Sequence, residues 1–138
     1  MAQTIFSKII SGDIPAHKVY EDEHTLAFLD IAPIARGHTL VIHKKDHAAN
    51  LSELAPQASA QLIQAAQKTI ALLKDSLGAS GVNLLLAEGE VAGQEIAHAH
   101  IHLVPRYEED GLRIHKSSDD VQEMSSEELA RVAKEIVS

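Results

Sequence analysis

Three histidines at alternate positions, His98, His100 and His102, are the residues of this chain most able to do chemistry. They interleave with Ala99, Ile101 and Leu103. On a β-strand the side-chain period is two, so the three imidazoles share one face and the apolar residues share the other. At about 3.3 Å per residue the rings span roughly 13 Å. Stability alone does not favour such a ladder, because protonated neighbours repel and burial adds a desolvation cost. Three readings follow. The histidines form a polar ladder with no chemistry. Or they bind a metal, since His-x-His suits zinc, although the usual third and fourth ligands are not obvious. Or they carry nucleophilic catalysis at phosphorus, which the residue types favour. Neutral imidazole attacks well near pH 7, and its two nitrogens allow donor and acceptor roles in one site. The middle residue, His100, is best placed to attack, with its neighbours orienting it and stabilising charge on phosphate oxygens.

Something must hold that strand. A chain of 138 residues has room for one domain with a real core, without disulfides or a structural metal. Hydrophobic residues make up 45%, but aromatics only 3%, so aliphatic side chains build that core. Cysteine is absent, which excludes disulfides, thiolate nucleophiles and every cysteine-based zinc site. The net charge of −8 argues against a general nucleic-acid binder. No apolar run approaches a membrane span and no signal pattern opens the chain, so a cytoplasmic protein without membrane contact is expected.

The elements read as follows. A short helix is expected over residues 4–10, then strands over 18–22 and 25–30, with Val19, Leu26 and Phe28 facing inward. A loop at Ala32-Pro33 and Arg36-Gly37 leads to a buried strand over 38–43. One long helical pattern runs from Ser52 to Leu77, with Pro56 in its first turn and Gly78 as C-cap. Strands over 81–87 and 98–106 follow, joined by a loop at 88–93. Ser125 to Glu128 fits a capping box before a short amphipathic helix carrying Leu129, Val132 and Ile136. Short connections between successive strands predict an α+β fold with antiparallel pairing. A single domain is expected over 1–138, with a polar segment and short helix at about 107–138. His17, His24, His43, His47 and His115 read as exposed or structural.

The run His98-Ala-His-Ile-His-Leu-Val104 resembles the signature of the histidine triad (HIT) family, Hint-like bacterial branch. So do Ile5 to Pro15, Val19 to Asp22, Ala27 to Pro33, His38 to Ile42, Lys44 to His47 and Ala92-Gly-Gln94. The match runs in register over about residues 4–106. The resemblance implies a five-stranded antiparallel sheet with two or three helices, joined across a homodimer into ten strands. It implies a metal-independent, cofactor-free nucleotide hydrolase or nucleotidyl transferase acting on purine nucleoside phosphoramidates or adenylylated amines. By position, His100 becomes the nucleotidylated nucleophile, and His102 and Gln94 contact the α-phosphate. His98 holds His100 through hydrogen bonding, and His38 lies near the same centre. Asp30 binds the ribose hydroxyls, and Ile5, Phe6, Ile9, Phe28, Leu29 and Ile31 form the base and ribose pocket.

Four departures matter. Thr4 and Ser7 stand where many bacterial relatives carry the Cys-x-x-Cys of a structural zinc site, so no zinc is expected beside His47 and His98. Ala87 replaces an asparagine common near the phosphate. Glu95 stands where a small or hydroxyl residue is common and would assist the leaving group only if protonated. Finally, an acidic stretch and a helix follow Val104-Pro-Arg106, unlike the Hint tails that carry a Trp; the triad ending resembles bacterial relatives and, in its Pro-Arg, the dinucleoside polyphosphate hydrolase branch. Two alternatives therefore accompany the phosphoramidase reading: a dinucleoside polyphosphate hydrolase, and a nucleotide-binding adaptor with little or no catalysis.

Overall fold

The protein is described here by a computed structural model covering residues 3–114 and 118–138, so His115 lies outside the described residues. Helix α1 spans Ile5–Ser11. Its N-terminus is closed by a reciprocal pair: the Ser7 N–H donates to Thr4 Oγ1 at 3.3 Å and the Thr4 N–H to Ser7 Oγ at 2.9 Å. Strands β1 (Lys18–Glu21), β2 (Thr25–Leu29) and β3 (Thr39–His43) form a meander. Helix α2 (Pro56–Leu77) leads to β4 (Gly81–Leu85), and β5 (His100–Arg106) inserts between β3 and β4. The sheet order is β1-β2-β3-β5-β4, antiparallel throughout. Helix α3 spans Ser126–Val137, with the Glu128 N–H donating to Ser125 Oγ at 3.1 Å. Among the described residues no helix is long and apolar enough to cross a membrane.

Two apolar layers sandwich the sheet. On one face, Leu62, Ala65, Ala66 and Leu73 of α2 cover Ala27, Val41, Ile101 and Leu103. On the other, Phe6 and Ile9 of α1 cover Leu26, Phe28, Leu40 and Ile42. Ala99, Ile101 and Leu103 therefore face α2, as the alternation predicts, and the histidines face the other way. The long helix is 22 residues, but the α1 layer is thin, and a short helix cannot cover a whole sheet face. The part left open becomes the site.

Several expectations need correction. Strand β5 begins at His100, not at residue 98, because the His98 N–H turns back to Ile96 O at 2.9 Å. Strand β3 begins at Thr39 and β4 stops at Leu85. Val19 is not inward: it is 36% exposed, while Tyr20 packs on the α2 layer. The register shifts between Lys18 and Tyr20, and such a bulge turns the side chains of an edge strand. Every residue of α3 is exposed, so its apolar stripe does not pack on the sheet.

Gly37 has φ +90°, and a Cβ there would sit 2.5 Å from Leu77 Cδ1 and 3.3 Å from Pro105 Cγ. The Gly37→Ala variant is expected to lose about 1–3 kcal/mol of stability through backbone strain alone. Urea unfolding checks this; an unchanged midpoint would contradict it.

Candidate active site

Strand β5 has a neighbour on each side. Leu40 of β3 and Leu85 of β4 flank His102, and Ile42 pairs with His100. Hydrogen bonding to fixed backbone groups assigns the proton of each ring. His100 Nδ1 donates to the His98 carbonyl at 2.7 Å, which leaves Nε2 with a free lone pair. His38 Nδ1 accepts from the Ile34 N–H at 3.2 Å, so the His38 proton sits on Nε2. That N–H donates to His102 Nδ1 at 3.0 Å, which places the His102 proton on Nε2. His98 Nε2 donates to the His43 carbonyl at 3.2 Å. One site thus holds a bare imidazole nitrogen on His100 beside a ring N–H on His102, with ring centroids 4.9 Å apart.

These tautomers require neutral rings, and burial supplies the neutrality. Desolvation pushes His38 and His100 below the usual histidine range. It pushes His98 and His102 down to about 4, helped by neighbouring imidazoles. For His100 the His98 carbonyl and the Asp30 and Glu95 charges oppose the shift but do not cancel it. A neutral His100 keeps its lone pair at physiological pH.

The His38, His100 and His102 rings open into a cavity of about 730 Å³, which the buried His98 ring does not line. Ile5, Phe6 and Ile9 of α1 form one wall, with Phe28 and Leu29 of β2. Asp30, Ile31, His38, Glu95, His100 and His102, also expected from the sequence, line it too. Phe6 packs edge-on against Phe28 (5.6 Å), His98 (5.8 Å) and His100 (4.9 Å), fixing the ring planes. Ile31 is 87% exposed and stands at the mouth. Ala87 lines the cavity without offering a donor. Asp30 serves a turn as well: its Oδ1 accepts from the Ala32 N–H at 2.8 Å, and its Oδ2 lies 3.6 Å from His38 Nε2.

One expected role is altered. The Gln94 side chain does not line the cavity. Its Nε2 donates to the carbonyls of Ala49 (2.6 Å) and Ile96 (3.2 Å), and its Oε1 accepts from the Gly89 N–H (2.8 Å). Gln94 thereby ties together the loop before β5. The hydrogen bond by which His98 holds His100 is accepted by its main-chain carbonyl. His43, read from the sequence as exposed or structural, is buried and structural. Its Nδ1 accepts from the Lys45 and Asp46 N–H groups, and its Nε2 donates to Gln61 Oε1 at 2.8 Å. Sequence reasoning missed Ile14, Ile34, Leu85 and Leu86 on the cavity wall. Nothing but apolar character marks them in the sequence.

A structural zinc at residues 4, 7, 47 and 98 does not fit. The Thr4 and Ser7 hydroxyls are spent on the α1 cap, and a hydroxyl is a poor zinc ligand at neutral pH. His98 Nδ1 is buried with no hydrogen-bond partner among the described residues, 1% of the residue being exposed, and the His47 ring lies 4.9 Å away. Two imidazoles face each other there without two thiolates.

A HIT domain model matches residues 11–109, across the meander, α2 and the histidine strand. The chain belongs to the HIT family. An uncharacterized HIT-like protein of Methanocaldococcus jannaschii is 46% identical over 96% of this chain and 97% of its own length. The adenosine 5'-monophosphoramidase of Schizosaccharomyces pombe is 38% identical, covering 97% and 96%. The crystal structure of a HIT family member from Bacillus subtilis superposes with a TM-score of 0.83 at 41% identity, covering 98% and 95%. This HIT protein has the five-stranded antiparallel sheet, with three α-helices, that its sequence blocks imply.

Proposed function

We propose that this member of the HIT family is a nucleotide-binding hydrolase or nucleotidyl transferase, and that it cleaves purine nucleoside phosphoramidates or adenylylated amines. The observation that carries the reading is the fixed tautomer of His100. Its Nδ1–H is held by the His98 carbonyl, so Nε2 is a neutral nucleophile in an apolar cavity. His100 Nε2 attacks the α-phosphorus and the P–N bond to the amine breaks; the amine leaves with a proton taken from solvent, giving a nucleotidyl-His100. Water then attacks phosphorus, the P–Nε2 bond breaks, and the nucleoside monophosphate and one proton leave. His102, with its proton on Nε2, donates to a phosphoryl oxygen as charge develops. Asp30 keeps acceptor lone pairs for a ribose diol, since only one of its oxygens is used by a backbone N–H. Phe6, Ile9 and Phe28 offer apolar faces to a base, and a largely apolar cavity of this size suits a nucleotide. The phosphoramidase named among the relatives supports the choice of leaving group.

The polyphosphate alternative gains nothing at Arg106. That guanidinium is committed to both oxygens of Asp110, at 2.8 and 2.9 Å, and to Asn83 Oδ1 at 2.9 Å. The discriminating experiment is turnover of adenosine phosphoramidate carrying an amine leaving group, run with EDTA beside diadenosine polyphosphates. Faster EDTA-resistant cleavage of the phosphoramidate is expected. Preference for the polyphosphate, or AMP binding without turnover, would overturn the reading.

The same reading includes a homodimer joined through β4. The other edge, β1, is blunted by a bulge and by the charged groups of Lys18 and Glu21, whereas β4 presents exposed Leu84 and Leu85. Sedimentation velocity is expected to show a dimer, and Leu84→Glu to shift it towards monomer. A wild-type monomer at micromolar concentration would contradict this.

A further inference from the structure

We propose that Asp30, His38 and His102 form a binding site for one divalent transition-metal ion, entered through the cavity. Their donor atoms already converge. His38 Nε2 lies 3.0 Å from His102 Nδ1 and 3.6 Å from Asp30 Oδ2, and all three atoms fall within 4.8 Å of one another. Ligands about 2.1 Å from a tetrahedral ion stand about 3.4 Å apart, so the spread needs little adjustment. Two imidazoles and one carboxylate suit zinc or cobalt(II), and three protein ligands leave a fourth position open to the cavity. All three residues line that cavity, which gives the ion a way in.

The hydrogen-bond network sets what coordination must displace. His102 binds through Nδ1 with no change, because its proton is already on Nε2. His38 must move its proton from Nε2 to Nδ1, the atom that now accepts from the Ile34 N–H at 3.2 Å. The ion and that hydrogen bond therefore exclude each other. Ile34 belongs to the exposed segment between Asp30 and Gly37, where Ile31 is 87% and Ile34 52% exposed, so the segment has room to yield. Asp30 Oδ1 keeps its bond to the Ala32 N–H, and Oδ2 takes the ion. A bound ion occupies the carboxylate oxygen and the His38–His102 contact that the nucleotide site uses, so ion and nucleotide compete.

The test uses the full chain, freed of metal and titrated with cobalt(II) chloride, read by visible d–d absorption, and with zinc chloride, read by calorimetry. One ion per chain is expected. Asp30→Asn and His38→Ala are each expected to weaken binding about tenfold or more, and His47→Ala to leave it unchanged. The Ile34 amide resonance is expected to move on adding zinc, and AMP to raise the apparent dissociation constant. Asp30→Asn preserves the turn acceptor, so it remains informative if His38→Ala fails to fold. Absence of a saturable cobalt spectrum would overturn the proposal. So would binding that survives Asp30→Asn, or binding lost in His47→Ala, which would place the ion at His47 and His98. No readout depends on turnover, so failure of the hydrolase reading and failure of this site are separable.

Discussion

Replacing His100 by alanine is expected to abolish turnover of nucleoside phosphoramidates, by about 10⁴-fold or more, the scale on which loss of a covalent nucleophile is felt. No other ring can take its place. His98 faces away, with Nε2 on the His43 carbonyl and Nδ1 buried beside His47. His102 offers the cavity a ring N–H, because its Nδ1 accepts from His38. His38 is engaged at both nitrogens. The fold should survive, since the neighbours of His100 on the α1 side, Phe6 and Ile42, belong to a layer that remains closed without it. Steady-state kinetics with a circular dichroism control checks this. A folded variant that retains wild-type activity would remove His100 from the mechanism.

The second large effect is on stability in mild acid. His98 is buried and its folded pKa is pushed from 6.5 down to about 4 by desolvation and by the neighbouring imidazoles. Above pH 6.5 the ring is neutral in folded and unfolded chains alike, and its full contribution is present. Between 6.5 and about 4 the unfolded chain takes up a proton that the folded chain refuses, so stability falls as pH falls. Below about 4 both forms are protonated and the loss stops growing. At about 1.4 kcal/mol per pH unit the loss from this residue is about 3 kcal/mol. His38, His100 and His102 shift in the same direction and add to it. Urea midpoints measured across this interval should drop steeply, and His98→Gln should flatten the slope. Equal slopes in the two proteins would show that His98 is not held neutral by the fold.

The site was legible in the sequence to an uneven degree. The period-two run His98 to His102 displayed its own geometry: alternation placed the apolar partners against α2 and the imidazoles on the α1 side, where His100 and His102 reach the cavity and His98 stays buried. The blocks around Asp30, His38 and Phe28 arrived at the same cavity because strand register brings them there. What the sequence did not show was backbone chemistry. His98 leaves the strand because its N–H bonds to Ile96, and it grips His100 with a carbonyl, a group every residue has. Gln94 looked like a phosphate contact by position, but its amide meets three backbone groups of its own surroundings. Val19 and Tyr20 exchanged places through a bulge that no side-chain pattern announces. The amphipathic stripe of α3 was read correctly as helical. Periodicity gave no information about where that stripe packs, and Leu129, Val132 and Ile136 remain exposed.

The account stands on a covalent bond between phosphorus and His100 Nε2. Rapid quenching of the enzyme during turnover of an adenosine phosphoramidate, followed by intact and peptide mass spectrometry, tests it most directly. The account predicts the mass of one adenylyl group, in EDTA, on the peptide spanning residues 98–106 and localised to His100. Steady turnover with no adduct at any quench time, or an adduct on a different residue, would contradict it.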